Sequence, residues 1–115
     1  MLMRLEIKKS GRVTVVKSLE NRMDAKVAVD FKTEIGRIVG KGDRWIVFDV
    51  SEITFVDSSG LGAIVSSLKM VGKEGDLVIA GAGETVLSLF KLTRMDRVFH
   101  MFATEKEAVE ALAGS

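Results

Sequence analysis

The sequence contains no cysteine and a single histidine, His100. Disulfides, cysteine-ligated zinc and thiol catalysis are therefore excluded, and one imidazole is too few for a histidine-based metal site within one chain. An excess of one charge is also missing. The 17 Lys and Arg face 16 Asp and Glu, leaving a formal charge of +1, without the basic surplus of most nucleic-acid-binding domains. Long apolar runs are missing too. Residues 1–12 alternate charged and apolar side chains and lack the apolar stretch of roughly 7–15 residues that marks a secretory signal. No segment reaches the roughly 18 uninterrupted apolar residues of a membrane helix. These absences lead us to expect a cytoplasmic chain with no cofactor, no metal, no direct nucleic-acid partner and no membrane insertion.

What is present is enough apolar material for one core. With 115 residues, 47% of them hydrophobic, residues 1–115 read as one domain. Leu5, Ile7, Val13 and Val15 fall at odd positions around Ser10-Gly11, as in a hairpin with one buried face. From Asp24 the period changes. Val27, Phe31, Ile35, Ile38 and Val39 recur at three- and four-residue steps with Lys26, Asp30, Lys32, Glu34 and Arg37 opposite, an amphipathic helix capped by Asp24 and ended by Gly40 or Gly42. Trp45 to Val50 is nearly continuous apolar chain, as expected of a central strand covered on both faces.

The helical period returns with Leu61, Ile64, Val65, Leu68 and Val71, so a second helix begins at Asp57-Ser58-Ser59. Leu77 to Ala80 reads as a buried strand. Val86, Leu89, Phe90 and Leu92 suggest a third helix, and Val98 to Phe102 a last short strand. Thr104 and Glu107 have capping-box spacing and start a terminal helix over about 105–113. The alternation predicts an α/β domain: a mixed sheet of about four to five strands with about four α-helices.

One segment stands out. Asp57, Ser58, Ser59 and Gly60 lie where a strand-like run meets a helix, bringing a carboxylate and two hydroxyls to the unpaired N–H groups of a first helical turn. An N-cap accounts for Asp and Ser here. It does not require Gly60 and Gly62, each of which costs a helix about 1 kcal/mol relative to alanine. Small residues there leave room for another molecule, and a phosphate added to a serine at a helix start is electrostatically favoured. No general base accompanies these serines. The chain has no Gly-x-Ser-x-Gly elbow or Ser-His-Asp set, and Gly81-Ala82-Gly83-Glu84 lacks the spacing of a nucleotide-binding loop. We therefore do not expect an enzyme. His100 reads as a strand or core-edge residue, and Lys69, Lys73 and Lys91 as solvated helix faces or part of a partner-binding patch.

Phe55-Val56-Asp57-Ser58-Ser59-Gly60-Leu61-Gly62 resembles the phosphorylation motif of the STAS domain family, and within it of the bacterial anti-sigma factor antagonists. Arg22-Met23-Asp24-Ala25 resembles the loop beside that phosphosite, and Leu87 to Phe99 the family's penultimate helix and turn. The resemblance implies a STAS-like fold and partner switching. The unphosphorylated antagonist binds an anti-sigma factor that is also a serine kinase, freeing a sigma factor; phosphorylation ends the complex, and a PP2C-type phosphatase restores it.

Carried onto this sequence, the acceptor is Ser58, with Ser59 as the fallback. Asp24, Asp57, Ser58, Ser59, Gly60, Leu61 and Gly62 form the partner-binding surface. Ser18 to Arg22 depart from the family, which usually has a glycine and a small acidic loop there, so a basic residue stands beside the site. The alternative implied by the same resemblance is a non-switching STAS subunit of a scaffold or transport complex.

Overall fold

The computed structural model describes residues 3–114. The chain forms β1 (Leu5–Ser10), β2 (Val13–Ser18), β3 (Arg22–Met23), α1 (Ala25–Gly40), β4 (Trp45–Asp49), β5 (Phe55–Val56), α2 (Ser58–Val71), β6 (Asp76–Ala80), α3 (Glu84–Leu92), β7 (Met101–Phe102) and α4 (Glu105–Ala113). Single 3-10 turns follow α2 and α3. The main sheet has the order β1-β2-β4-β6-β7, antiparallel between β1 and β2 and parallel elsewhere. It is the expected mixed five-stranded sheet with four helices.

Both faces of this sheet are covered, which is why its inner strands read as continuous apolar runs. Ile46, Phe48, Leu77 and Ile79 point to one face, where Phe31, Ile35 and Ile38 of α1, Ala63 and Ile64 of α2, and Val86 and Phe90 of α3 close over them. Phe31 and Phe48 meet with ring centroids 4.5 Å apart. Val13, Val15, Val47, Val78 and Ala80 alternate to the other face and pack on Ala108 and Leu112 of α4. Burying each of these large side chains contributes about 1.5–3 kcal/mol. Arg12 fastens the end of α4. Its guanidinium donates to the Leu112 carbonyl at 2.7 and 3.2 Å and lies 4.0 Å over the Trp45 ring.

Several expectations are corrected. The odd-numbered hairpin residues do not share a face. Leu5 pairs with Ser18 and Ile7 with Val16, so Leu5 and Ile7 lie on the side of Val16, while Val13 and Val15 face α4. The cause is the two-residue connection Gly11-Arg12, which matches odd positions with even ones. Glu34 is buried on α1 rather than turned to water, and its carboxylate is paired with Arg37. On α2 the deepest residues are Gly60, Ala63, Ile64, Ser67 and Val71, with Leu61, Val65 and Leu68 half-buried beside them. Ser67 is tolerated there because its hydroxyl donates to the Ala63 carbonyl at 2.7 Å. Leu92 of α3 is exposed, and so is His100. The last strand is confined to Met101–Phe102.

Candidate functional site

Two very short strands build the site. β3 and β5 pair in parallel, Arg22 opposite Phe55 and Met23 opposite Val56. The next residue on each is a helix cap: Asp24 for α1 and Asp57 for α2. The N-termini of two helices are thereby set side by side, each with a carboxylate at its mouth.

Asp24 Oδ1 accepts from the Lys26 N–H at 3.1 Å, and its other oxygen lies 3.2 Å from Arg22 Nε. That hydrogen bond from Arg22 holds the Asp24 carboxyl below the ordinary aspartate range, against the smaller opposing effect of burial. The Arg22 guanidinium also lies 4.1 Å over the Phe55 ring, which is 40% exposed. Arginine and aromatic ring thus form one surface of mixed character at the edge of the two caps.

Asp57 Oδ1 accepts from the Gly60 N–H at 2.8 Å, and the Asp57 carbonyl accepts from the Leu61 N–H at 2.9 Å. Ser58 and Ser59 occupy the first two helical positions and are exposed. Their own N–H groups have no partner among the described residues, as expected of a first turn. The Ser58 hydroxyl therefore sits in water at the positive end of α2, directly after the Asp57 cap.

The glycines divide in role. A Cβ on Gly60 would lie 1.9 Å from the Met23 carbonyl oxygen, so the space at Gly60 is filled by the chain itself and not left for another molecule. Asp57 N–H donates to that same carbonyl at 3.2 Å. Gly62 is exposed, and a Cβ there would meet nothing within 4 Å. Leu61 is half-buried against the core. Of the seven residues expected to form a surface, Asp24, Asp57, Ser58, Ser59 and Gly62 share one rim, Leu61 flanks it and Gly60 lies beneath it. The pairing of Arg22 with Asp24 and its stacking on Phe55 were not legible from spacing, because both depend on the β3–β5 register.

Among the described residues no group of three or more His, Asp or Glu side chains could hold a metal ion. Nor is any helix there long and apolar enough to cross a membrane.

Residues 4–108 match the family model described as the STAS domain. The chain belongs to the STAS domain family. The anti-sigma-F factor antagonist RsfB of Mycobacterium tuberculosis is 23% identical to this STAS domain over 99 residues, spanning 86% of this chain and 81% of RsfB. A solved anti-sigma factor antagonist from Mycobacterium paratuberculosis matches it with a TM-score of 0.87 at 23% identity, over 96% of this chain and 94% of that one. The anti-sigma factor antagonist SpoIIAA, unphosphorylated, matches with a TM-score of 0.75 at 20% identity, over 97% and 100% of the two chains. The phosphorylated form of SpoIIAA, from Bacillus, gives 0.73 at 20% identity over 94% and 98%. At these identities the structural likeness establishes the fold.

Proposed function

We propose that this STAS domain is an anti-sigma factor antagonist that works by partner switching, with Ser58 as its phosphorylation site. The unphosphorylated form docks the rim of Asp24, Asp57, Ser58, Ser59 and Gly62 on an anti-sigma factor with serine kinase activity, and a sigma factor is released. Transfer of a phosphate to Ser58 ends the complex, and a PP2C-type phosphatase reverses it. The observation that carries this reading is the exposed Ser58 hydroxyl at the first position of α2, beside a second helix cap.

A phosphate is tolerated there because the helix N-terminus favours negative charge. Docking does not tolerate it. The group adds about −1.5 to −2 charges and a hydration shell to a surface that already carries the Asp24 and Asp57 carboxylates. A partner fitted closely over Gly62 meets both a steric and an electrostatic obstacle.

Ser58 has no base of its own, so the kinase must supply the residue that takes the hydroxyl proton. The names of the relatives, antagonists of anti-sigma factors, support the antagonist part of this reading. Incubation with the candidate serine kinase and ATP, followed by peptide mass spectrometry, tests the site. The expected product carries one phosphate, at Ser58. Phosphate only at Ser59 or elsewhere refutes the assignment.

A further inference from the structure

A second surface lies outside the rim of Ser58. Helix α3, the 3-10 turn Met95–Arg97 and the approach to β7 enclose an open groove of about 350 Å³. Leu87, Phe99 and Met101 line it with apolar surface, while Lys91, Arg97, His100 and one carboxylate, Asp96, supply polar groups. Leu87, Leu92 and Val98 are half of the large apolar side chains exposed among the described residues, and all three fall on this stretch. Leu92 is 84% exposed. A monomer gains nothing from such a concentration of exposed apolar surface, which marks interaction sites.

Three cations are gathered on this one short stretch, Lys91, Arg94 and Arg97. Lys8, Lys9 and Lys17 are matched with Glu105, Asp43 and Glu52. Lys91, Arg94 and Arg97 form no ion pair among the described residues, and Asp96 is the one carboxylate among residues 91–97. Arg94 is held at φ +61°, a left-handed conformation that L-residues rarely take. The turn is thus set by the fold before anything binds, which lowers the ordering cost of recognition.

We propose that this groove docks an acidic segment of a partner protein, with one apolar side chain entering between Leu87, Phe99 and Met101 and carboxylates meeting Lys91 and Arg97. Charge selects this occupant. A second copy placed by two-fold symmetry would bring the same unmatched cations together. An anionic membrane would press on a convex face, whereas Leu87, Phe99 and Met101 line a concave groove, with Leu92 and Val98 exposed outside it. The inference is independent of the role of Ser58, since none of the groove's residues lies on that rim.

The test is an NMR titration of the 15N-labelled chain with a synthetic peptide of glutamates around a central leucine, alongside its glutamine and lysine counterparts. The expected result is saturable shifts at Leu87, Lys91, Arg97, Phe99 and Met101 with the glutamate peptide. Binding should be about tenfold weaker at high salt and in the double variant Lys91→Gln, Arg97→Gln. Both replaced side chains are exposed, so the variant's spectrum outside the groove should be unchanged. Absence of saturable shifts, shifts centred elsewhere, or equal binding of the glutamine peptide overturns the proposal. Phosphatidylserine vesicles that bind where the peptide does not would also overturn it, assigning the surface to a membrane.

Discussion

The Met23 carbonyl oxygen stands 1.9 Å from where the Cβ of any other residue at Gly60 would lie. The contact is backbone against backbone, so no side-chain rotation relieves it. It is also the point at which the first turn of α2 is held to β3, and through β3 to Asp24.

Gly60→Ala should therefore lower stability by about 3 kcal/mol, at the upper end of ordinary overpacking, as measured by urea unfolding. Gly62→Ala, in open space on the same turn, should be neutral or stabilising by up to about 1 kcal/mol. Equal effects of the two substitutions would contradict the close approach.

Thr14 is buried in β2 opposite Ile46, and its hydroxyl has no hydrogen-bond partner among the described residues. Valine has the same shape without the unsatisfied oxygen. Thr14→Val should raise stability by about 1 kcal/mol. A loss of that size would mean that the hydroxyl is bonded in solution.

Arg94 is the one non-glycine residue at positive φ among the described residues. Glycine takes that conformation without the Cβ clash. Arg94→Gly should stabilise the fold by about 1 kcal/mol, partly offset by the greater freedom of glycine in the unfolded chain. The same change should weaken binding of the acidic peptide at the α3 groove.

Acid should destabilise the protein, through identifiable groups. Burial opposes the charge on Asp49, yet the hydrogen bond it accepts from the Ser51 N–H at 2.9 Å and the nearby Lys17 charge help hold its carboxyl below the ordinary aspartate range. Hydrogen bonds from Arg22 and Lys9 lower Asp24 and Asp43 in the same direction. A carboxyl more acidic in the folded chain than in the unfolded one contributes fully above its unfolded pKa and loses that contribution as pH falls through the folded value. Urea midpoints should be level between about pH 7 and 5 and fall below about pH 4. Asp49→Asn keeps an acceptor for Ser51 and should make the fall shallower. A midpoint that rose on acidification would contradict these shifts.

The α/β alternation and the caps at Asp24, Asp57 and Thr104 were legible because periodicity and capping are local. The face assignment of the hairpin was not. It turns on the parity of a two-residue connection, which reverses the side on which Val13 and Val15 fall. Glu34 and Ser67 were misread or passed over because a polar side chain can be buried once its partner lies one turn away, Arg37 and Ala63 here.

The site shows the same division. Ser58 and Asp57 could be found from the chain itself, and the family resemblance pointed to Asp24. The physical link between them is the pairing of β3 with β5, two residues each, too short to leave any period. Arg22 and Phe55 gain their meaning only from that pairing.

The most direct test of the account compares the affinity of two forms of this protein for the anti-sigma factor proposed as its partner: unmodified, and carrying phosphoserine at position 58. The charge and bulk placed next to the Asp57 cap should weaken binding by about a hundredfold, about 2.7 kcal/mol, while Ser58→Ala binds like the unmodified chain. Equal affinity of the phosphorylated and unmodified forms would contradict the switch.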